Sequence, residues 1–185
     1  MTALLLLACT SQPVPEPEGL LVARQATVQL DGITISARQA IVDDDGTGRA
    51  EEVEAEAPPL NIHSKSAVWS FVERTARFEG DVLVTRADVT LRCDVLTVSF
   101  LRPDRIENAI AEGGVEVIQG QRTASSSRAE LTAADGMLVM TGQPVITDSG
   151  NRLSGDRITL WLDQERVECQ GCTLVVDGAA IAPER

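Results

Sequence analysis

Apolar and polar residues alternate along most of this chain with a period of two. In Ser154–Val176, Ile158, Leu160 and Leu162 share one parity and alternate with Thr159 and Trp161. Asp163 to Arg166 is a polar break, after which Val167, Cys169, Gly171, Thr173 and Val175 share the next parity. Period two places alternate side chains on one face of a sheet. The stretch therefore predicts a strand, a turn and a second strand.

The same grammar occurs four times. Gly80, Gly113, Gly142 and Gly171 are separated by 33, 29 and 29 residues. Two residues before each glycine stand Phe78, Ala111, Met140 and Cys169; four after stand Val84, Val117, Ile146 and Val175. The companion strands carry the triplets Ala67-Trp69-Phe71, Leu96-Val98-Phe100, Ala129-Leu131-Ala133 and Ile158-Leu160-Leu162. A half copy precedes them at Ala40 and Val42. Repeats of this length mark stacked architectures, because a two-strand unit cannot bury its apolar face alone. The chain thus reads as an all-β, antiparallel stack of two-strand repeats with a period of 29–33 residues.

Apolar positions lie symmetrically about each glycine. This predicts one continuous strand running through it, with the glycine marking a bulge or a close approach. Reversals are expected at Thr85–Asp88, Gly120–Arg122, Asp148–Asn151 and Asp177–Gly178, and at Arg102–Arg105, Ala133–Gly136 and Asp163–Arg166. On a continuous strand Cys169 and Cys172 face opposite sides, so the Cys-Gln-Gly-Cys stretch is expected to hold a buried Cys169 and a more exposed Cys172, without a bridge between them. A redox or metal pair is the competing reading.

Composition narrows the function. With 28 acidic and 16 basic side chains the formal charge is −12, which argues against nucleic-acid binding. His63 is the one histidine, expected at the surface. Asp43–Gly46 lacks the alternation of a calcium loop and predicts a turn. Glu51–Pro59 is acidic and ends in prolines, and is expected to join strands at an exposed edge. No nucleophile elbow, phosphate loop or histidine-linked triad is present in the sequence, so no enzyme, cofactor or metal is expected.

At the N-terminus, Leu6-Leu7-Ala8-Cys9 resembles a bacterial lipobox, with Cys9 as the lipidated residue. The expected organisation is a lipoprotein-type signal over 1–9, a proline-rich tether over 10–19, one β domain over 20–178 and a frayed tail over 179–185. The leader places the protein in the cell envelope, anchored at Cys9. Thr10 rather than Asp after that cysteine favours the outer membrane.

The phrases Phe78-Glu-Gly-Asp-Val-Leu-Val84, Ala111-Glu-Gly-Gly-Val-Glu-Val117 and Gly150-Asn-Arg-Leu-Ser-Gly-Asp-Arg-Ile-Thr-Leu160 resemble the OstA-like family of lipopolysaccharide transport, which includes the LptA type. The resemblance covers Ser64 to Val176 and, more weakly, the segment from Gln25. It implies a folded-over antiparallel β-jellyroll and a periplasmic location. It also implies a groove for lipid A acyl chains, and open strand edges that join other jellyroll transport proteins or a second copy of the chain. The lipobox departs from the soluble members and leaves open an anchored, LptC-like relative.

Parity carries the inner face over as Trp69, Phe71, Phe78, Val84, Leu96, Val98, Phe100, Val117, Leu131, Met140, Ile146, Ile158, Leu160 and Val175. The leading expectation is a non-enzymatic envelope protein that binds lipopolysaccharide, or a similar lipid, on that face and helps carry it toward the outer membrane. Arg86, Arg122 and Arg152, at turns and strand ends, are placed to meet phosphates. The alternative is a structural or assembly lipoprotein that uses its strand edges for protein–protein contact. A carbohydrate-active β-solenoid enzyme is disfavoured, since no acidic pair recurs on an inward face.

Overall fold

The computed structural model describes residues 21–30, 33–57, 60–102, 105–162, 164 and 166–176. The signal with Cys9, the tether and the tail lie outside the described residues. Eight long strands come first: β1 (Leu21–Leu30), β2 (Ile33–Val42), β3 (Thr47–Ala57), β4 (Leu60–Ser70), β5 (Thr75–Arg86), β6 (Val89–Arg102), β7 (Arg105–Gln119) and β8 (Arg122–Thr132). Six short ones follow: β9 (Met137–Thr141), β10 (Val145–Asp148), β11 (Asn151–Ser154), β12 (Arg157–Trp161), β13 (Arg166–Gln170) and β14 (Thr173–Val175). Every pairing is antiparallel, and β1 to β8 pair in sequence order. The described residues contain no helix.

A line of left-handed residues crosses the sheet. Gly80 and Asp81 have φ of 79° and 50°, Gly113 and Gly114 76° and 52°, and Gly142 and Gln143 75° and 61°. Gln25, Glu52 and Gly171 carry single positive values of 51°, 50° and 63°. At the double sites the pairing register shifts by one residue, as between Glu79 and Val82 against Val95 and Cys93. These are bulges, each inserting an extra residue and bending its strand. The single sites at Gln25 and Glu52 bend the chain without a shift.

The bends divide the sheet into two leaves. In the first, the distal half of β8 leads to β9, β12 and β13. In the second, its proximal half leads to β10, β11 and β14. The inner faces of both leaves supply one hydrophobic cluster, including Trp69, Phe78, Leu96, Met140 and Ile158 from the first and Ile62, Val82, Val115, Val117 and Ile146 from the second. Burying such side chains contributes roughly 1.5–3 kcal/mol each. This is the folded-over arrangement that the family resemblance implied.

The structure corrects four expectations. Of the four repeat glycines, only Gly80 and Gly113 lie within a continuous strand, β5 and β7; at Gly142 and Gly171 the strand breaks into β9/β10 and β13/β14. There the extended run is too short to keep one ladder across the bend. Phe71 leaves the inner face, because it opens the Phe71–Arg74 turn and is 44% exposed. Glu51–Ala57 is no edge connection. It belongs to β3, paired on both sides, with Val53 and Ala55 buried between exposed acids. Finally, Cys169 and Cys172 are joined by a disulfide.

Asp43–Gly46 forms a turn, closed by Gly46 N–H on the Asp43 carbonyl at 3.0 Å and by Thr47 N–H on Asp45 Oδ1 at 2.8 Å. The Thr47 amide holds the exposed Asp45 carboxyl below its ordinary pKa. His63 is exposed.

The bend makes opposite demands on glycine and on other residues. A Cβ added at Gly113 would stand 2.8 Å from Asp94 Cβ and Cγ, on a φ that disfavours L side chains. We expect Gly113→Ala to destabilise by about 1–3 kcal/mol. Gln25→Gly, at an exposed left-handed residue, should be neutral or stabilise by up to about 1 kcal/mol. Urea-unfolding midpoints check both. Equal losses from the two variants would remove the bend as their cause.

Candidate functional site

The inner face is closed along most of its length. Of the fourteen sequence-assigned positions, Trp69, Phe78, Leu96, Val98, Val117, Met140, Ile146, Ile158 and Leu160 are buried. Val84, Phe100 and Leu131 are partly buried and pack on the same cluster. Phe71 is in its turn, and Val175 is 55% exposed on β14, which pairs only with β11. Trp69 lies over Gly48, where a Cβ would fall 2.1 Å from the indole ring. Its buried Nε1–H has no hydrogen-bond partner among the described residues.

The leaves part near the last hairpin of the first leaf. A cavity of about 520 Å³ opens between the hairpin tips of the second leaf and the last hairpin of the first. Asp88, Val89, Val117, Gln119 to Arg122, Ala124 and Asp148 line one lip; Leu160, Trp161, Leu162, Arg166 and Val167 line the other. Val89, Val117, Ala124, Leu160 and Leu162 belong to, or pack on, the hydrophobic core, so the floor of the mouth is continuous with it.

Charged groups sit at the rim. Arg122 donates from Nε and Nη2 to Asp148 Oδ2, both at 3.0 Å. With a lesser hydrogen bond from Ser149, this holds the Asp148 carboxyl below the usual range. The Arg166 guanidinium lies 4.3 Å from the centre of the Trp161 ring and pairs with Glu168. The volume lies within the range of small-molecule sites, and an apolar floor with polar groups at the rim suits an amphiphile.

Sequence parity reached Val117 and Leu160 of this mouth, and the turn arginines included Arg122. It missed Trp161 and Arg166. Their clue was position: they flank the last hairpin turn among the described residues. Arg86 and Arg152 do not line the opening.

The bend at the last repeat is held covalently. The disulfide links the end of β13 in one leaf to the residue before β14 in the other. Gly155 accommodates it: a Cβ there would meet Cys169 Sγ at 2.7 Å. Cys93 is a buried free thiol, pushed up to about 11 mainly by burial and then by Asp94.

A bent antiparallel sheet closed around an apolar interior is a β-jellyroll. Residues 61–166 match the family model described as LptA/(LptD N-terminal domain) LPS transport protein. The match spans more than half of the chain, which therefore belongs to that family of lipopolysaccharide transport proteins. This is a family of non-enzymatic transport components. Among solved structures, the chain is similar to LptH of Pseudomonas aeruginosa, the LptA-homologous periplasmic component of that organism's lipopolysaccharide transport device. The TM-score is 0.59 at 17% identity, covering 64% of this chain and 95% of LptH. Comparison with curated proteins finds no match.

Two cysteine experiments follow. A bridge closing so short a loop stabilises by about 2 kcal/mol on the chain-entropy account. Cys169→Ser with Cys172→Ser should lose about that much, with faster hydrogen exchange confined to β13 and β14. Native protein at pH 8 should resist alkylation at Cys93, because its thiol stays protonated and buried. Rapid labelling of Cys93 without unfolding would contradict that burial.

Proposed function

We propose that the chain is an envelope component of lipopolysaccharide transport that holds acyl chains of lipopolysaccharide, or a similar lipid, at the mouth between its leaves. The carrying observation is the roughly 520 Å³ opening, floored by Val117, Ala124 and Leu160, where the core reaches solvent. Apolar burial of about 0.8 kcal/mol per CH₂ supplies the affinity. Periplasmic residence follows from the family and from the LptH likeness. Anchoring at Cys9 follows from the lipobox.

Partner proteins join at the strand ends. Among the described residues, each of β1, β13 and β14 pairs on one side only. At the C-terminal end Leu174, Val175 and Val176 are 62%, 55% and 63% exposed. Unpaired edges with apolar side chains are templates for a further strand. A second jellyroll, or another copy of this one, fits there.

A photo-crosslinking amino acid at Val117 or Leu160 should label lipopolysaccharide in cells, while one at Ser127 or Thr97 should not. Labelling from both faces alike, or from neither in a folded protein, would leave the chain a purely structural lipoprotein.

A further inference from the structure

The mouth carries two arginines on opposite lips. Arg122 opens β8 at a hairpin tip of the second leaf, and Arg166 opens β13 at the last hairpin of the first. We propose that Arg122 and Arg166 form a two-sided clamp for the phosphate of an acylated amphiphile, orienting it with its chains on the apolar floor and its phosphate at the rim. The inference rests on the lipid-binding reading above and adds the group that is recognised and the residues that recognise it.

Three observations support the clamp. First, both arginines line the opening, Arg122 on the same parity as the inward Ala124 and Arg166 beside its cross-strand partner Trp161, whereas Arg77, Arg92 and Arg128 pair with Glu79, Glu116 and Glu112 away from it. Second, their present partners are weak competitors. Arg122 and Asp148 are 37% and 40% exposed, and Arg166 and Glu168 are both 54% exposed; exposed pairs contribute only about 0–1 kcal/mol. Arg122 spends two of its donors on a single carboxylate oxygen, whereas a phosphate offers several oxygens to the guanidinium fork. Third, Trp161 supports Arg166 from below at 4.3 Å. An amphipathic indole at the boundary between an apolar floor and water fixes the height at which a head group sits. Asp88 and Asp148 also face the opening. They disfavour a bare anion that brings no acyl chain to offset their repulsion.

The test uses the full chain with diphosphorylated lipid A, its dephosphorylated form, and inorganic phosphate as competitor. Photo-crosslinking at Val117 should report both lipids. The phosphorylated form should bind roughly tenfold more tightly, the ratio expected of one charge-assisted contact. Arg122→Gln or Arg166→Gln should each cut that preference several-fold and leave affinity for the dephosphorylated lipid unchanged. Arg86→Gln, outside the mouth, should leave the preference intact. Inorganic phosphate at millimolar concentration should not displace the lipid. Equal binding of the two lipids, an unaltered preference in the double variant, or displacement by phosphate alone would overturn the clamp. Failure of Val117 to label either lipid would instead sink the lipid-binding reading itself.

Discussion

The structure depends on a backbone constraint: a row of left-handed residues that bends every second strand at the same height. Strands without such a bend would form one flat sheet with an uncovered apolar face. With it, the two halves of each hairpin turn toward each other, and each becomes the other's core. The bend requires a conformation that costs an L residue roughly 1–2 kcal/mol. Glycine meets it at Gly80, Gly113, Gly142 and Gly171. Close approach adds a second demand, since Lys65, Asp94, Ser127 and Asp156 of the neighbouring strands lie where a Cβ would project. Those four stand at intervals of 29, 33 and 29 residues, so the outer spine repeats with the glycines it covers.

The same bend explains where the fold opens. In the first strands both leaves are long and their ladders run unbroken through the bend. Toward the C-terminus the strands shorten to three to five residues and the ladder splits in two. Each leaf is then held by its own short pairings, and the lips diverge at Val117 and Leu160. The disulfide at Cys169 and Cys172 ties the two leaves at the last bend of the described residues. Closed core and open mouth thus arise from one repeat at different distances from its end.

Much of this was legible in the sequence, because period-two alternation and a spaced glycine are local signals. Parity placed nine of the inner residues in the core, and the turns at Ala87–Asp88, Gly120–Gln121 and Ser149–Gly150 fell where polar breaks put them. What was hidden depended on contacts rather than pattern. Gln25 and Glu52 make the same bend as the glycines, so the repeat begins two copies earlier than a glycine search can find. The Cys169–Cys172 bridge was hidden because parity assumes an unbroken strand. Once Gly171 interrupts β13, residues three apart are free to turn toward each other, and the cysteines meet. Phe71 kept the parity of its strand but lay one residue past the strand's end.

Charge sets the last constraint. A protein carrying −12 repels an anionic lipid at long range, yet that field is screened over about 8–10 Å at physiological salt. On the outer faces carboxylates pair with arginines across strands, as in Arg92 with Glu116 and Arg128 with Glu112, or along one strand, as in Arg128 with Glu130. These pairs leave little to attract a head group there. At the mouth the balance differs, because apolar floor and guanidinium groups lie within one cavity. A ligand that brings both acyl chains and a phosphate gains at short range what it loses on approach, whereas a bare anion only loses. On the proposed lipid-binding reading, the acidic surface works with the mouth: it discourages head groups from settling anywhere that the chains cannot be buried.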